Sequence, residues 1–375
     1  MITLANIAKC SGCAACEQIC PAGALKMKEN QEGFLFPEIN KDVCVSCKKC
    51  EKVCPVNNPL SKKEVLAVYA ARAKDEDVVS ISSSGGLFGT LAKSVLEKGG
   101  IVFGAGFDSN LKLIHKSVHN LNSLSVLMGS KYVQSDIMNS YKEAKVEAEK
   151  GRQVIFAGTP CQCAGLVKFI GKDYPNLLVV DFACHGVPSP LLFEKYLKFM
   201  SAEKEIDRVR FRDKTENKKT GLQISVTYKD GSVYRKNFTE DPYTLAFLEN
   251  LTLRESCHNC SFKNFTSGSD ITIGDFWGLE KTDSPLKEKD GVSLLILNTE
   301  KGRSAFENIS AQIESDLRTI EEAVKENKAL VTSTRKNPLR NKYLKGMHKN
   351  TIDKLKGKYC GNSFGVKLKR LIAGR

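Results

Sequence analysis

The sequence of 375 residues contains no run of about 18 apolar residues, so we expect no transmembrane segment. Its first residues, MITLANIAKC, lack the basic region and the apolar core of a secretion signal. A complete G-x-G-x-x-G fingerprint and a Walker A lysine are also missing, which gives no support to simple dinucleotide or ATP binding. These absences, with this length, predict a cytoplasmic protein of two or three domains.

Acidic residues are scarce at the C-terminal end. The chain carries 57 Lys and Arg against 43 Asp and Glu, a net charge of +14. Residues 335–375 hold thirteen of the basic side chains and one acid, Asp353. We expect a solvated basic tail. The alternative is a docking surface for an acidic partner such as a ferredoxin, or for anionic lipid or nucleic acid. No nucleic-acid binding is expected, because the body lacks aromatic residues interleaved on a basic face.

Cysteine is abundant, with 14 residues, and in a cytoplasmic chain this favours metal or catalytic use over disulfides. Residues 10–21, CSGCAACEQICP, and 44–55, CVSCKKCEKVCP, repeat one pattern. Three cysteines at i, i+3 and i+6 hold one iron–sulfur cluster, and the fourth, before proline, reaches the neighbouring cluster. We therefore predict two 4Fe-4S clusters, with these ligands: Cys10, Cys13, Cys16 and Cys54 for one; Cys44, Cys47, Cys50 and Cys20 for the other. Two four-cysteine zinc sites are the alternative.

The region from residue 65 onward alternates between apolar, β-rich runs and helical patterns, which predicts an α/β body with a partly parallel sheet. Residues 222–238 alternate at period two around Asp230 and Gly231, which predicts a β-hairpin. The predicted fold class is therefore α/β with α+β elements. A small ferredoxin-like two-cluster domain precedes a larger mixed α/β body, with residues 57–64 as a linker.

Two glycine-bearing turns stand where anion sites often form. SSSGG at 82–86 precedes a predicted helix, and GTPCQC at 158–163 follows a predicted strand and opens another helix. Free amides at a helix N-terminus can hold a phosphate, and open α/β sheets bind ligands at the carboxyl ends of their strands. An ordinary helix cap is the alternative at both turns.

Six cysteines lie outside the repeated pattern. Cys161 and Cys184 each follow a predicted strand, and SCHNCSF contributes Cys257 and Cys260. These four residues could hold a third 4Fe-4S cluster. The alternatives are unliganded buried thiols, or a zinc site in which Cys163 replaces Cys184. Cys360, in the basic segment, is expected to be a free thiol.

Other residues beside these motifs are candidates for chemistry. His185 could donate a proton to a substrate or flavin, or could be a hydrogen-bonding residue behind the site. In GDFWG (274–278), Phe276 and Trp277 could stack on an isoalloxazine ring or pack in the core.

Several phrases together resemble the family of coenzyme F420 hydrogenase/dehydrogenase beta subunits, from about Val65 to about Ile313. They are SSSGGLFGTLA, VFGAGFD, GSKYVQS, FAGTPCQCAGL, VDFACHGVPSP, SCHNCSF and DITIGDFWG. The resemblance implies a ferredoxin-type domain (1–60), a family N-terminal region (65–145) and a family C-terminal flavin and iron–sulfur region (151–320). The basic C-terminal tail (321–375) completes the predicted domains and is not part of the resemblance. It also implies bound FAD with these contact residues: Ser83, Ser84, Gly85, Gly86, Lys131, Tyr132, Gly158, Thr159, Pro160 and Asp275.

The implied function is an iron–sulfur flavoprotein oxidoreductase that passes electrons between 4Fe-4S clusters and FAD. The expected partners are ferredoxin or another redox protein, and a deazaflavin or other small acceptor. The alternative is a non-catalytic electron-transfer subunit that connects a partner enzyme to ferredoxin. A basic nucleic-acid-binding protein with structural iron–sulfur sites is a third hypothesis, supported by the basic segment alone.

Overall fold

The computed structural model describes residues 3–215, 222–361 and 363–373 and contains three sheets within them. The strands are β1 Leu25–Glu29, β2 Leu35–Ile39, β3 Ala67–Ala73, β4 Ile101–Phe107, β5 Leu113–Val118, β6 Val154–Gly158, β7 Leu177–Phe182, β8 Ile206–Arg210, β9 Gln223–Tyr228, β10 Val233–Asn237, β11 Ile271–Asp275, β12 Ser293–Leu297 and β13 Ile313–Arg318. The α-helices are α1 Ala15–Gln18, α2 Lys49–Val53, α3 Glu76–Ile81, α4 Leu87–Leu96, α5 Ser140–Glu149, α6 Pro160–Ile170, α7 Pro190–Met200, α8 Pro242–Leu248, α9 Glu300–Glu307, α10 Ile320–Glu326, α11 Arg340–Gly346, α12 Ile352–Tyr359 and α13 Phe364–Ala373.

The N-terminal domain, called the head below (residues 3–60), is built from the repeated cysteine pattern. A β1–β2 hairpin lies between the short helices α1 and α2. The two cysteine loops have the same backbone, because Gly12 and Ala14 adopt positive φ in the first copy and Ser46 and Lys48 do so in the second. Positive φ turns the chain sharply, which lets a short loop direct several cysteines toward one point.

The body is organised around an eight-stranded sheet in the order β13-β3-β12-β11-β7-β6-β4-β5. The central strands β4, β6, β7 and β11 run parallel to their neighbours in this group, and the flanking pairs are antiparallel. Their continuous apolar sequences, such as VIFAG in β6, are buried on both faces, as central parallel strands require. The predicted mixed α/β body with a partly parallel sheet is confirmed. The carboxyl ends of β6, β7 and β11 meet at one edge.

A second, three-stranded sheet has the order β10-β9-β8, and β9 and β10 form the hairpin predicted around Asp230 and Gly231. Helices α7, α8, α11 and α12 pack against this sheet and share a buried cluster with it. The basic segment therefore differs from the expected solvated tail. Tyr343 and Leu344 of α11 and Leu355 of α12 bury their side chains in this cluster, and the thiol of Cys360 is buried with them.

The head contacts the body through buried charges as well as apolar contacts. The Arg340 guanidinium donates to both carboxylate oxygens of Glu32 in the β1–β2 turn, at 3.0 and 2.6 Å. The same side chain donates to the Leu253 carbonyl at 2.7 Å. The Ser189 hydroxyl donates to the Glu32 carbonyl. Among the described residues, no helix has the length and apolar character needed to cross a bilayer.

Candidate cofactor sites

Four cysteines of the head line one small cavity, called the inner head cavity below. They are Cys10, Cys13, Cys16 and Cys54. Three come from the first copy of the pattern, and Cys54 comes from the second. This is the exchange between copies that the spacing predicts. Burial, with smaller contributions from the nearby thiols of Cys10 and Cys54, raises the pKa of Cys13 to about 12.

The other head cysteines form the outer head site. Burial raises the pKa of Cys50, as do the adjacent thiols of Cys20 and Cys47, so these three side chains lie together. Cys44 is half-buried on the same loop, and Cys47 is exposed to solvent. The first copy of the pattern is therefore covered by protein, whereas the second copy faces outward.

A third group of cysteines lines a cavity at the carboxyl edge of the parallel strands, called the body cavity below. Cys161 lies in the first turn of α6, directly after β6, and Cys184 follows β7. Cys257 and Cys260 reach the same cavity from a short 3-10 segment, Glu255–Asn259. Parallel strands end at one edge of a sheet, which is why residues distant in sequence meet here.

The thiols of the body cavity are poorly suited to nucleophilic chemistry. Burial raises the pKa of Cys161, Cys184 and Cys257 to about 12 each, and the neighbouring thiols contribute to this rise. A reactive cysteine has a lowered pKa. Metal ligation removes the proton and gives the thiolate a partner, so four half-buried thiols in one cavity are a donor set that fits a cluster.

The geometry does not favour the zinc alternative that includes Cys163. The Cys163 thiol points back into the sheet, where it donates to the carbonyls of Gly158 and Val180 at 3.6 and 3.4 Å. Within the described ranges, no three His, Cys, Asp or Glu side chains approach closely enough to share one metal ion. Each thiolate of a 4Fe-4S cluster binds a different iron, so such ligands stand farther apart than those around a single ion.

Hydrogen bonds fix the body cysteines and reach their sulfur atoms. The Val187 amide donates to Cys257 Sγ at 3.5 Å, and the Thr159 hydroxyl lies 3.2 Å from Cys161 Sγ. Lys263 Nζ donates to the Cys184 carbonyl at 2.6 Å. Donors to cluster sulfurs tune a reduction potential, so these groups belong to the chemistry of the site.

Arg254 and Ser11 lie between the inner head cavity and the body cavity. Ser11 lines both cavities, and Arg254 lines the body cavity. Arg254 Nε donates to the Cys10 carbonyl at 2.8 Å, and its Nη2 lies 3.8 Å from Cys10 Sγ. The guanidinium also donates to Gln134 Oε1 at 3.0 Å and stacks over Phe36, 4.1 Å from the ring centre. The two cysteine cavities are therefore neighbours, separated by one buried cation.

A second cluster of side chains gathers around Arg212, in the loop after β8, and is called the Arg212 cluster below. Arg212 Nη1 donates to Asp275 Oδ2 at 2.8 Å and to the Tyr132 hydroxyl at 3.3 Å. Its Nη2 donates to the Ser83 carbonyl at 3.2 Å, and Lys214 Nζ donates to the Ser84 carbonyl at 2.7 Å. Burial and the charge of Arg212 lower the pKa of Lys214 to about 8.

The residues predicted to contact a flavin divide into two groups. Residues 83–86, Lys131, Tyr132 and Asp275 surround the Arg212 cluster: the Ser130 amide donates to Ser83 Oγ at 2.6 Å, which joins the SSSGG and GSKY turns. Gly158, Thr159 and Pro160 instead lie at the start of α6, beside the body cavity, where Thr159 and Gln162 form a capping box.

The hydroxyls and the lysine of the first group also have structural partners. Ser84 Oγ donates to the Val292 carbonyl at 3.0 Å, and Gly86 caps α4 with positive φ. Lys131 Nζ donates to three carbonyls, those of Leu127, Met128 and Gly129. Burial lowers the pKa of Lys131 to about 7, while these acceptors favour its charged form. Thr159 therefore caps α6 with its side chain, whereas α4 begins at Gly86 without a side-chain cap.

His185 and the aromatic pair of GDFWG differ in their surroundings. His185 lines the body cavity; its Nε2 lies 2.6 Å from Asn250 Oδ1, and its ring packs edge-on against Phe247. Phe247 in turn stacks on Tyr132 with ring centres 4.7 Å apart. Phe276 packs in the core, whereas Trp277 is 38% exposed, with its ring centre 6.0 Å from the Arg212 guanidinium.

Sequence reasoning missed Arg212 and Arg254, which organise the two sites. Arg212 stands in an ordinary basic stretch, RVRFRDK, and its carboxylate partner is Asp275, far along the chain. Arg254 precedes Cys257 by one turn, and this proximity was the available signal. Neither residue belongs to a recognisable motif, so only the fold reveals what they contact.

Known families match both the head and the body of this chain. Residues 151–323 match the family described as the C terminus of the coenzyme F420 hydrogenase/dehydrogenase beta subunit, and residues 9–58 match the 4Fe-4S dicluster domain. The F subunit of F(420)H(2) dehydrogenase from Methanosarcina mazei is 25% identical over 326 residues, which cover 81% of this chain and 83% of that protein. A chain of the F420-reducing [NiFe] hydrogenase complex from Methanosarcina barkeri is 19% identical, with a TM-score of 0.48, over 79% of this chain and 91% of that one.

Proposed function

We propose that this chain is a flavin-dependent iron–sulfur oxidoreductase, because residues 151–323 match the C terminus of the coenzyme F420 hydrogenase/dehydrogenase beta subunit and residues 9–58 match the 4Fe-4S dicluster domain. Its substrate is a deazaflavin or another small acceptor of hydride, and its protein partner is a ferredoxin or a similar electron carrier. Bound 4Fe-4S clusters supply one-electron transfer, and bound FAD couples such transfer to two-electron chemistry.

The observation that carries this proposal is that the cysteine sites and the Arg212 cluster lie next to one another in a series across the molecule. The outer head site and the inner head cavity exchange Cys20 and Cys54. Ser11 and Arg254 connect the inner head cavity with the body cavity. From the body cavity, ring contacts lead from His185 through Phe247 to Tyr132 of the Arg212 cluster. If the clusters had only a structural role, their binding sites would not need to be adjacent to one another.

The twelve head and body cysteines act as cluster ligands in this proposal. The eight head cysteines hold two 4Fe-4S clusters, and Cys161, Cys184, Cys257 and Cys260 hold a third. Support for the third comes from their shared cavity, from the Val187 N–H that donates to Cys257 Sγ, and from the Thr159 hydroxyl beside Cys161 Sγ.

The residues of the Arg212 cluster fit an anionic, aromatic cofactor such as FAD. Arg212 and Lys214 are two buried or half-buried cations beside one carboxylate, Asp275. Burial and mutual repulsion lower the pKa of Lys214, so a bound pyrophosphate would stabilise both charges. The amides at the start of the ten-residue helix α4 lie at the SSSGG turn, and Trp277 offers a partly exposed ring.

In this assignment, the chain's own residues position the cofactor and handle protons. Arg212, held by Asp275 and the Ser83 carbonyl, fixes the turn against which the flavin binds. Gly158, Thr159 and Pro160 shape the wall between the body cavity and the sheet edge. His185, hydrogen-bonded to Asn250 and open to solvent, is placed to exchange a proton at its ring with a bound substrate.

A second candidate is a non-catalytic subunit that delivers electrons to a partner enzyme. The similar protein from Methanosarcina mazei is named as a subunit, which favours this possibility. The test uses anaerobically purified full-length chain. We expect about twelve irons and one FAD per chain, and reduction or oxidation of a deazaflavin by the isolated protein with a viologen dye as the second substrate. Full cofactor content without turnover would favour the electron-delivering subunit, and absence of flavin would refute the proposal.

A further inference from the structure

The two copies of the cysteine loop have one backbone and opposite surroundings. Cys10, Cys13 and Ala14 of the first copy are buried against the body. In the second copy, Val45 is 66% exposed, Cys47 is exposed, and Lys48, which occupies the position of Ala14, is exposed as well. The body thus covers the inner copy, while the equivalent surface of the outer copy is left in solvent. We call residues 43–49 the outer loop.

The outer loop combines apolar and basic side chains in a way that the inner loop does not. Val43 and Val45 flank Cys44 and are both largely exposed, and Val45 stands where the inner copy has Ser11. Lys48 and Lys49 follow Cys47 directly, and both are exposed. In the described part of the chain, neither lysine forms a salt bridge. An apolar centre with an unneutralised basic border is the composition of a protein-docking surface.

We propose that the outer loop docks an acidic electron-carrier protein, with Val43 and Val45 contacting the carrier and Lys48 and Lys49 attracting its carboxylates. The inference rests on the proposed function, because it assumes a cluster at the outer head site. In each encounter the carrier gives up one electron and the outer cluster gains it, with no bond formed or broken. Because Cys47 is exposed, the outer head site is the cluster site nearest to solvent. A docked carrier can therefore bring its own redox centre close to this cluster, and electron transfer between proteins requires a short distance between the two centres.

The basic C-terminal helices offer a rival surface for the same carrier. Lys345 and Lys349 on and after α11 are exposed and contribute to the strong positive charge of residues 335–375. This surface lies on the three-stranded sheet and its helices, whose buried cluster contains none of the twelve candidate ligands. A carrier attracted there would be held by charge at a surface whose buried cluster offers no cluster ligand.

The experiment measures how fast the bound clusters of the anaerobic holoprotein are reduced in a stopped-flow spectrometer. The reductants are a reduced acidic bacterial-type ferredoxin and reduced methyl viologen, a small dye that needs no docking surface. The test variant is Lys48→Glu/Lys49→Glu. Val45→Ser, which copies the residue of the inner loop, changes the apolar contact without changing charge. The matched control is Lys345→Glu/Lys349→Glu, with the same change in net charge.

We expect Lys48→Glu/Lys49→Glu to slow reduction by ferredoxin about tenfold or more, and to flatten its dependence on ionic strength. Val45→Ser should slow it several-fold, and reduction by viologen should stay within about twofold of wild type in every variant. A selective loss in the Lys345→Glu/Lys349→Glu control, or equal ferredoxin rates in all proteins, would overturn the docking face. A wild-type protein that accepts electrons from viologen but not from ferredoxin would overturn the carrier. A wild-type protein that accepts them from neither would instead sink the proposed function.

Discussion

Replacing Arg254 by glutamine should make the cluster of the inner head cavity harder to reduce. The Arg254 side chain is 1% exposed, and its Nη2 lies 3.8 Å from Cys10 Sγ. Its positive charge favours the extra electron of a reduced cluster, and glutamine keeps hydrogen-bonding capacity while removing the charge. We therefore expect the reduction potential to move to a more negative value.

The size of the shift follows from the distance. Two unit charges 3.8 Å apart interact by about 4 kcal/mol at an effective dielectric constant of about 20. This is an upper limit, because the electron spreads over the cluster. For a one-electron couple about 59 mV corresponds to a tenfold change in the equilibrium constant. If the electron is shared equally among four irons, a quarter of the full interaction gives a shift in reduction potential of about 40 mV. The full interaction gives about 170 mV, so the expected shift lies between these two values.

The assay is an anaerobic redox titration followed by electron paramagnetic resonance, with the iron content of each protein measured beforehand. Arg254→Lys is the control, since it keeps the charge but loses the planar fork that holds Cys10, Leu35 and Gln134. Its potential should stay close to that of the wild-type protein. An Arg254→Gln protein that contains all its iron and titrates at the wild-type potential would refute the reasoning.

Three further predictions concern the third cluster, the attachment of the head and acid stability. Cys184→Ser should bind about eight irons instead of about twelve, by iron analysis, and an unchanged iron content would contradict the third site. Arg340→Met should lower the free energy of unfolding by about 3 kcal/mol, measured with denaturant, because Glu32 loses its buried partner; a change below about 1 kcal/mol would contradict this. Burial lowers the pKa of His115 to about 4, below its usual 6.5. As the pH falls, the unfolded chain therefore binds a proton at this residue before the folded protein does. The free energy of unfolding should decrease between about pH 6.5 and pH 4, by up to about 3 kcal/mol. In His115→Gln, the free energy of unfolding measured across this pH range should depend less on pH than in the wild-type protein. An equally strong pH dependence would show that other groups cause the acid sensitivity.

Sequence reasoning worked best where chemistry fixes spacing. The triplets of cysteine followed by Cys-Pro identified the dicluster domain and predicted that Cys54 crosses to the first cavity. Apolar runs such as VIFAG and LLVVDF predicted the central strands, and the rule that parallel strands end at one edge brought Cys161 and Cys184 together. Each of these inferences depends on local pattern plus one general rule of topology.

The rest depended on contacts between distant residues. The basic charge of residues 335–375 suggested a solvated tail, yet Tyr343 and Leu355 bury their side chains against the three-stranded sheet. The net charge of this segment comes from the exposed faces of its amphipathic helices. It gives no information about the apolar residues on their opposite, buried faces. The pairing of Arg212 with Asp275 was equally hidden, because no local pattern marks the partner of a buried cation. The ten residues predicted to contact a flavin stay a proposal.

The two guanidinium groups that join the head to the body limit how freely the head could be removed or exchanged as a separate domain. Arg254 and Arg340 lie buried in the body and find part of their acceptors in the head, at Cys10 and Glu32. If the gene segment for the head were deleted, both cations would face a bare surface shaped for a missing neighbour. We therefore expect natural relatives that lack this head to carry other residue types at the two positions, and grafting the head onto such a relative to require restoring both arginines together.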